Sequence, residues 1–195
     1  MRILPDRAAL FIAYLFLCAV SLCPAQQYGT DLAGKPVNDL VGPNIRFVVL
    51  VFAASDCPIS NRYVPEIARL NREFAKQGVR FWWVFPNPGD TAAVVARHIR
   101  DFSITEDSIL DTRQTLVHMA RATTTPEAAM FAVDPGSLRQ VYTGRIDDRY
   151  VSIGTERPQP SVHDLEAAIE AALAGKAMPR AGGPAVGCAI VPIQK

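Results

Sequence analysis

Cysteine carries the chemistry this chain has to offer. Of its four cysteines, Cys18 and Cys23 fall in the N-terminal segment, leaving Cys57 and Cys188 in the rest. A thiolate attacks disulfides and peroxides. Cys57 stands in Ser55-Asp56-Cys57-Pro58, between an apolar run and a helical pattern. Free N–H groups and the helix dipole at such a junction favour the ionised thiol. The alternative for Cys57 is a half-buried structural cysteine. Ser60, within the first helical turn, either donates to the Cys57 thiolate or satisfies a helix N–H. Cys188 lies far downstream in a Gly/Pro/Ala-rich stretch and has three readings. It resolves a sulfenic acid or mixed disulfide on Cys57, pins the tail through a permanent bridge, or remains a free thiol.

The elements that must position these thiols follow from periodicity. Arg46–Ala53 (RFVVLVFA) and Val79–Phe85 (VRFWWVF) read as strands buried on both faces. Between them a helix opens at Pro58, with Tyr63, Ile67, Leu70 and Phe74 as its buried stripe and Pro65 expected to kink it. Strand, helix, strand makes a right-handed parallel βαβ unit. A turn at Pro86–Gly89 leads to a second helix capped by Asp90 and bearing Val95, Ile99 and Phe102. A short strand near 108–110 and a helix over about 112–120 follow. Ala128–Val133 and Leu138–Thr143 form a hairpin. Ser161 and Asp164 suggest a capping box for a last helix striped by Leu165, Ile169, Ala172 and Leu173. Trp82 and Trp83 point to opposite sides of one strand, each into a core. His98, His118 and His163 read as helix-face histidines at no metal-ligand spacing, so no metal site is expected.

The first 25 residues read as an export signal, with Arg2 and Arg7 ahead of the uncharged Ala8–Leu22 and an exit at Cys23-Pro24-Ala25. As a helix that apolar run rises about 22 Å, short of the roughly 30 Å bilayer core, so cleavage after Ala25 is expected rather than a retained anchor. The organisation is then a signal at 1–25, a domain at 26–174, and a flexible tail at 175–195 carrying Cys188. A cleaved, exported chain is periplasmic or secreted, and two thiols there can form one disulfide. The 195 residues are 49% hydrophobic and 20% charged with a net charge of +1, which excludes disorder and gives no electrostatic reason to bind nucleic acid. No stable membrane insertion is expected once the signal is gone.

Around Cys57 the run Val51-Phe52-Ala53-Ala54-Ser55-Asp56-Cys57-Pro58-Ile59-Ser60 resembles the thioredoxin superfamily, specifically its peroxiredoxin-like branch (alkyl hydroperoxide reductase/thiol-specific antioxidant, redoxin). Pro65, Thr125-Pro126-Glu127 before a strand, and the hairpin ending in Tyr142-Thr143-Gly144-Arg145-Ile146-Asp147 belong to the same match, which extends over roughly 31–174. The resemblance implies an α/β fold, a thioredoxin-like three-layer α/β/α sandwich with a central mixed sheet. It makes Pro126 a cis-proline facing Cys57, with Thr125 beside it, the alternative being a trans turn. It offers Arg145 as a positive charge at the site, the alternative being a solvated arginine. Ser60 stands where thioredoxins carry the second cysteine of Cys-x-x-Cys, and Ala54 stands where peroxiredoxins carry a peroxide-positioning hydroxyl.

The resemblance implies an exported thiol-dependent oxidoreductase with Cys57 as nucleophile, reducing peroxides or exchanging disulfides. It needs no bound cofactor, draws electrons from an external thiol donor, and is a monomer or homodimer. The competing classes are an exported copper chaperone using Cys57, Cys188 and a histidine, and a redox-inactive scaffold.

Overall fold

The computed structural model describes residues 26–179 and 183–193. The expected signal at 1–25 lies outside the described residues. Among these, no helix is long and apolar enough to cross a membrane.

Among the described residues, eleven strands and four α-helices follow one another. The strands are β1 (Gly29–Thr30), β2 (Pro36–Val37), β3 (Phe47–Phe52), β4 (Val79–Phe85), β5 (Asp107–Leu110), β6 (Thr124–Thr125), β7 (Glu127–Asp134), β8 (Ser137–Gly144), β9 (Tyr150–Ser152), β10 (Thr155–Glu156) and β11 (Cys188–Ala189). The helices are α1 (Pro58–Phe74), α2 (Ala92–Phe102), α3 (Thr115–Ala120) and α4 (Asp164–Leu173). Seven strands form the central sheet in the order β2-β1-β5-β4-β3-β7-β8. The β3–β4 and β4–β5 pairs are parallel, whereas β3–β7, β7–β8, β1–β5 and β1–β2 are antiparallel, so the sheet is mixed.

Alternation along each central strand divides the core into two layers. Val49, Val51, Phe81 and Trp83 face one side, where they meet Ile67 and Leu70 of α1, Val95 of α2, and Leu165 and Ile169 of α4. Val48, Leu50, Phe52 and Trp82 face the other, against Leu116, Val117 and Ala120 of α3. A strand covered on both faces has to be apolar throughout, which is why FVVLVF and VRFWWVF show no polar alternation. Each large side chain so enclosed contributes roughly 1.5–3 kcal/mol. The α/β/α sandwich and the parallel βαβ unit match the sequence expectation.

Several local expectations are corrected by competition among polar groups. Thr91, not Asp90, caps α2, accepting from the Val94 N–H at 3.4 Å. Asp90 is instead drawn inside to the Ser55 backbone and hydroxyl. The proposed Ser161/Asp164 box does not form. His163 occupies the cap of α4 without a side-chain bond, and the Ser161 hydroxyl donates to Asp148 at 2.6 Å. Helix α3 starts only at Thr115, because the buried Asp111 carboxylate collects the N–H groups of Thr115, Leu116 and Val117. His98 is buried rather than on a surface, with its ring against Phe85 and Phe102 at 5.8 and 4.7 Å between centroids. Phe102, expected in the buried stripe, is exposed. Helix α1 runs without interruption through Pro65.

Candidate active site

Strand β3 ends under the first turn of α1 and delivers Cys57 to that junction. Cys57 is the N-cap residue, in extended conformation (φ −86°, ψ 111°), with Pro58 just inside the helix where a missing N–H costs nothing. Its carbonyl accepts the helical bond from the Asn61 N–H at 3.1 Å. The Cys57 side chain is fully buried.

Strand β6 and the C-terminal segment close over this sulfur. The Thr125–Pro126 peptide bond is cis, as the resemblance implies. The Thr125 carbonyl accepts from the Cys57 thiol at 3.4 Å. Beyond it, β11 pairs antiparallel with β6 in the register Cys188↔Thr125 and Ala189↔Thr124. The stretch 175–195 therefore carries ordered backbone pairing at Cys188. The Cys188 thiol donates to the Cys57 sulfur across 2.8 Å, and the Thr125 hydroxyl donates to the Cys188 carbonyl at 3.2 Å. No disulfide bond joins the two cysteines, of which Cys57 is buried and Cys188 exposed.

The two thiols ionise unequally. Burial opposes ionisation of Cys57, but hydrogen bonds from the Cys188 thiol and from the Ser60 backbone and hydroxyl together outweigh it. They hold Cys57 below the ordinary thiol value. For Cys188, burial, the bond it donates and the neighbouring Cys57 charge all favour the protonated form, pushing it up to about 11. Of the two, Cys57 is the more readily ionised, and Cys188 is the one that keeps its proton. The Ser60 hydroxyl also accepts from the Ala54 N–H at 3.4 Å, a donor in the loop before α1 and not the helix N–H of the alternative reading.

Arg145 does not join the site. Its Nε donates to Asp164 Oδ2 at 2.6 Å, tying β8 to the start of α4, and it is not among the groups acting on the Cys57 thiol. The guanidinium is taken up by a nearly buried carboxylate at the helix N-terminus. Among the described residues, the one group of three possible metal ligands is Glu66, His163 and Glu166, which lacks both cysteines. Arg69 already pairs with the two glutamates at 2.7 Å. Among the described residues, no histidine groups with Cys57 and Cys188.

Three supports for the site escaped the sequence reading. The Glu127 carboxylate accepts the backbone N–H groups of Thr123 and Thr124 at 2.8 and 3.1 Å and so shapes the loop before the cis-proline. Asp90 accepts from the Ser55 N–H at 3.0 Å and its hydroxyl at 2.5 Å, fixing the loop that carries Cys57. Gln114 donates to the Val191 carbonyl at 2.7 Å and anchors the C-terminal segment. The Thr-Thr-Thr-Pro-Glu run was a visible signal for the first; the other two partners are too remote in sequence to leave one.

No protein-family model matches this chain, and no curated protein sequence matches it. Solved structures do. The chain is similar to an uncharacterized conserved protein from Geobacillus kaustophilus, with 23% identity, 88% of this chain and 91% of that one covered, and a TM-score of 0.71. A hypothetical protein from Sinorhizobium meliloti gives 22% identity, coverage of 85% and 91%, and a TM-score of 0.70. A thiol:disulfide interchange protein of the thioredoxin family from Chlorobium tepidum gives 16% identity, coverage of 74% and 91%, and a TM-score of 0.52. At these identities the likeness is one of fold. The chain has a thioredoxin-like fold, with a pair of facing cysteines at its first strand–helix junction.

Proposed function

We propose that this protein is an exported thiol-disulfide oxidoreductase that cycles between a Cys57/Cys188 dithiol and a Cys57–Cys188 disulfide. The observation that carries the reading is the 2.8 Å approach of two oppositely tuned thiols at a helix N-terminus. The Cys57 thiolate attacks one sulfur of a substrate disulfide, forms a mixed disulfide and expels the other sulfur as a thiolate. Cys188, after passing its proton to the expelled substrate thiolate, attacks the Cys57 sulfur and releases the second substrate sulfur as a thiolate. Two electrons pass to the substrate, and an external thiol donor restores the dithiol. That donor meets the exposed Cys188 sulfur, leaving Cys57 as the better leaving group because its thiolate is the more stable.

Disulfide exchange is favoured over peroxide reduction by the same geometry. Ala54 offers no hydroxyl to seat a peroxide, and Arg145 is committed to Asp164. The test is non-reducing peptide mass mapping of reduced protein. It is treated in parallel with one equivalent of oxidised glutathione and one of hydrogen peroxide. A Cys57–Cys188 bridge that forms with the disulfide and reopens with a mild dithiol is the expected result. Formation with peroxide alone would move the assignment to a peroxidase, and two thiols inert to both would leave a redox-inactive scaffold.

A further inference from the structure

The segment from Gly187 to Ile193 adds a two-residue strand, Cys188–Ala189, to β6, and its other fixings are few. Beyond the Cys188↔Thr125 and Ala189↔Thr124 pairs, the Ile190 N–H donates to the Thr123 carbonyl at 3.0 Å. The Val191 N–H donates to Asn87 Oδ1 at 3.0 Å, and Gln114 holds the Val191 carbonyl. Only Ile190 enters the core, while Cys188, Ala189 and Val191 stay exposed. Short pairing with little burial belongs to the easily opened part of a fold. This segment nevertheless sets its cysteine sulfur against a fully buried Cys57.

Gly187 explains how the strand fits. A Cβ on that residue would stand 2.0 Å from the Thr125 carbonyl oxygen, 2.7 Å from its carbon and 3.0 Å from Pro126 Cδ. The obstacle is the backbone of the cis-proline loop, which no rotamer change relieves. Any chain lying here in this register needs glycine immediately before the residue facing Cys57.

Resting on the thiol reading above, we infer that residues 187–193 are a built-in occupant of the strand edge at β6 that gates Cys57. The partner admitted in its place is an extended peptide whose cysteine follows a glycine. The tail is both the gate and the template for what passes it. Backbone pairing with β6 gives the partner affinity, and the Gly187 position gives selectivity. Occupancy of the edge by the tail lowers apparent affinity in proportion to the fraction of molecules open.

The test uses the full chain carrying Cys188→Ser, with and without Gly187→Val, which drives a side chain into the Thr125 carbonyl. The probe is a peptide of sequence 186–193 whose cysteine is activated as the thionitrobenzoate disulfide. Cys57 thiolate attacks the peptide sulfur, the mixed disulfide forms, and thionitrobenzoate leaves with the electron pair of the broken bond. Its absorbance gives the rate, and peptide mass mapping places the adduct on Cys57. Circular dichroism verifies that both proteins are folded. Gly187→Val is expected to accelerate the reaction about tenfold or more. An analogue with alanine for the peptide glycine should react far more slowly. Equal rates with and without Gly187→Val would overturn the gate, and equal rates for the two peptides would overturn the glycine requirement. Failure of the thiol reading itself is separable. Cys57 in the Gly187→Val protein would then be inert to iodoacetamide at neutral pH as well.

Discussion

Ser60→Ala isolates one source of thiolate stabilisation at Cys57. The hydroxyl is fully enclosed, supports the ionised Cys57 and accepts the Ala54 N–H at 3.4 Å. A hydrogen bond to a charged group contributes about 1.5–3 kcal/mol. A hydroxyl on sulfur, as one of several donors, belongs at the low end. Taking about 1.4 kcal/mol, the ionisation equilibrium of Cys57 moves tenfold toward the thiol. A more basic thiolate is also a better nucleophile, by about threefold for a Brønsted coefficient of 0.4–0.5. Well below the thiol pKa the variant should therefore alkylate about threefold more slowly, and well above it about threefold faster. The assay is the iodoacetamide rate at Cys57 against pH, located by mass mapping, for wild type, Ser60→Ala and Ser60→Thr. The two profiles should cross, and the threonine variant, which keeps a hydroxyl, should follow wild type. Leaving the Ala54 N–H without its acceptor should also lower stability by only about 1 kcal/mol, because the 3.4 Å bond is a long one. Parallel profiles that never cross, or a variant faster at low pH, would refute the role of Ser60 in holding the charge.

Arg145→Ala should leave the pH profile of Cys57 unchanged while reducing unfolding free energy by about 2–4 kcal/mol, since it strands the nearly buried Asp164; denaturant titration measures the second effect. Glu127→Ala removes the acceptor of two loop N–H groups, and should cost about 1–3 kcal/mol by urea midpoint and loosen the loop that holds the cis-proline, read as faster amide exchange at Thr123 and Thr124. Burial pushes the Asp111 carboxyl up to about 6, against the three N–H bonds that favour its charge, from an unfolded value of 3.8. The folded state thus binds the proton more tightly. Its contribution is complete below about pH 4 and is lost as pH rises through about 6, by at most about 3 kcal/mol. Urea midpoints across that window should fall with rising pH more steeply in wild type than in Asp111→Asn; equal slopes would remove Asp111 as the cause.

Reading the chain alone settles whatever depends on neighbours in sequence. The continuous apolar runs of β3 and β4 require a covered central sheet, and the stripe from Tyr63 to Phe74 requires a helix between them. Together these place Cys57 at a helix N-terminus, and the thioredoxin-like resemblance follows from that local frame. Tertiary structure decides where each group finds its partner. Asp90 leaves the cap to Thr91 because the Ser55 loop, 35 residues away in sequence, offers two donors inside the protein. Arg145 settles on Asp164 and not on the thiolate, and His98 goes inside between two aromatic rings. Cys188 depends most on the fold. Nothing in a Gly/Pro/Ala-rich tail announces a strand, and its pairing with Thr125 spans 63 residues. Periodicity records which face of an element is apolar. It carries no record of which distant donor and acceptor will meet once that face is buried, and here that meeting brings the second sulfur to the first.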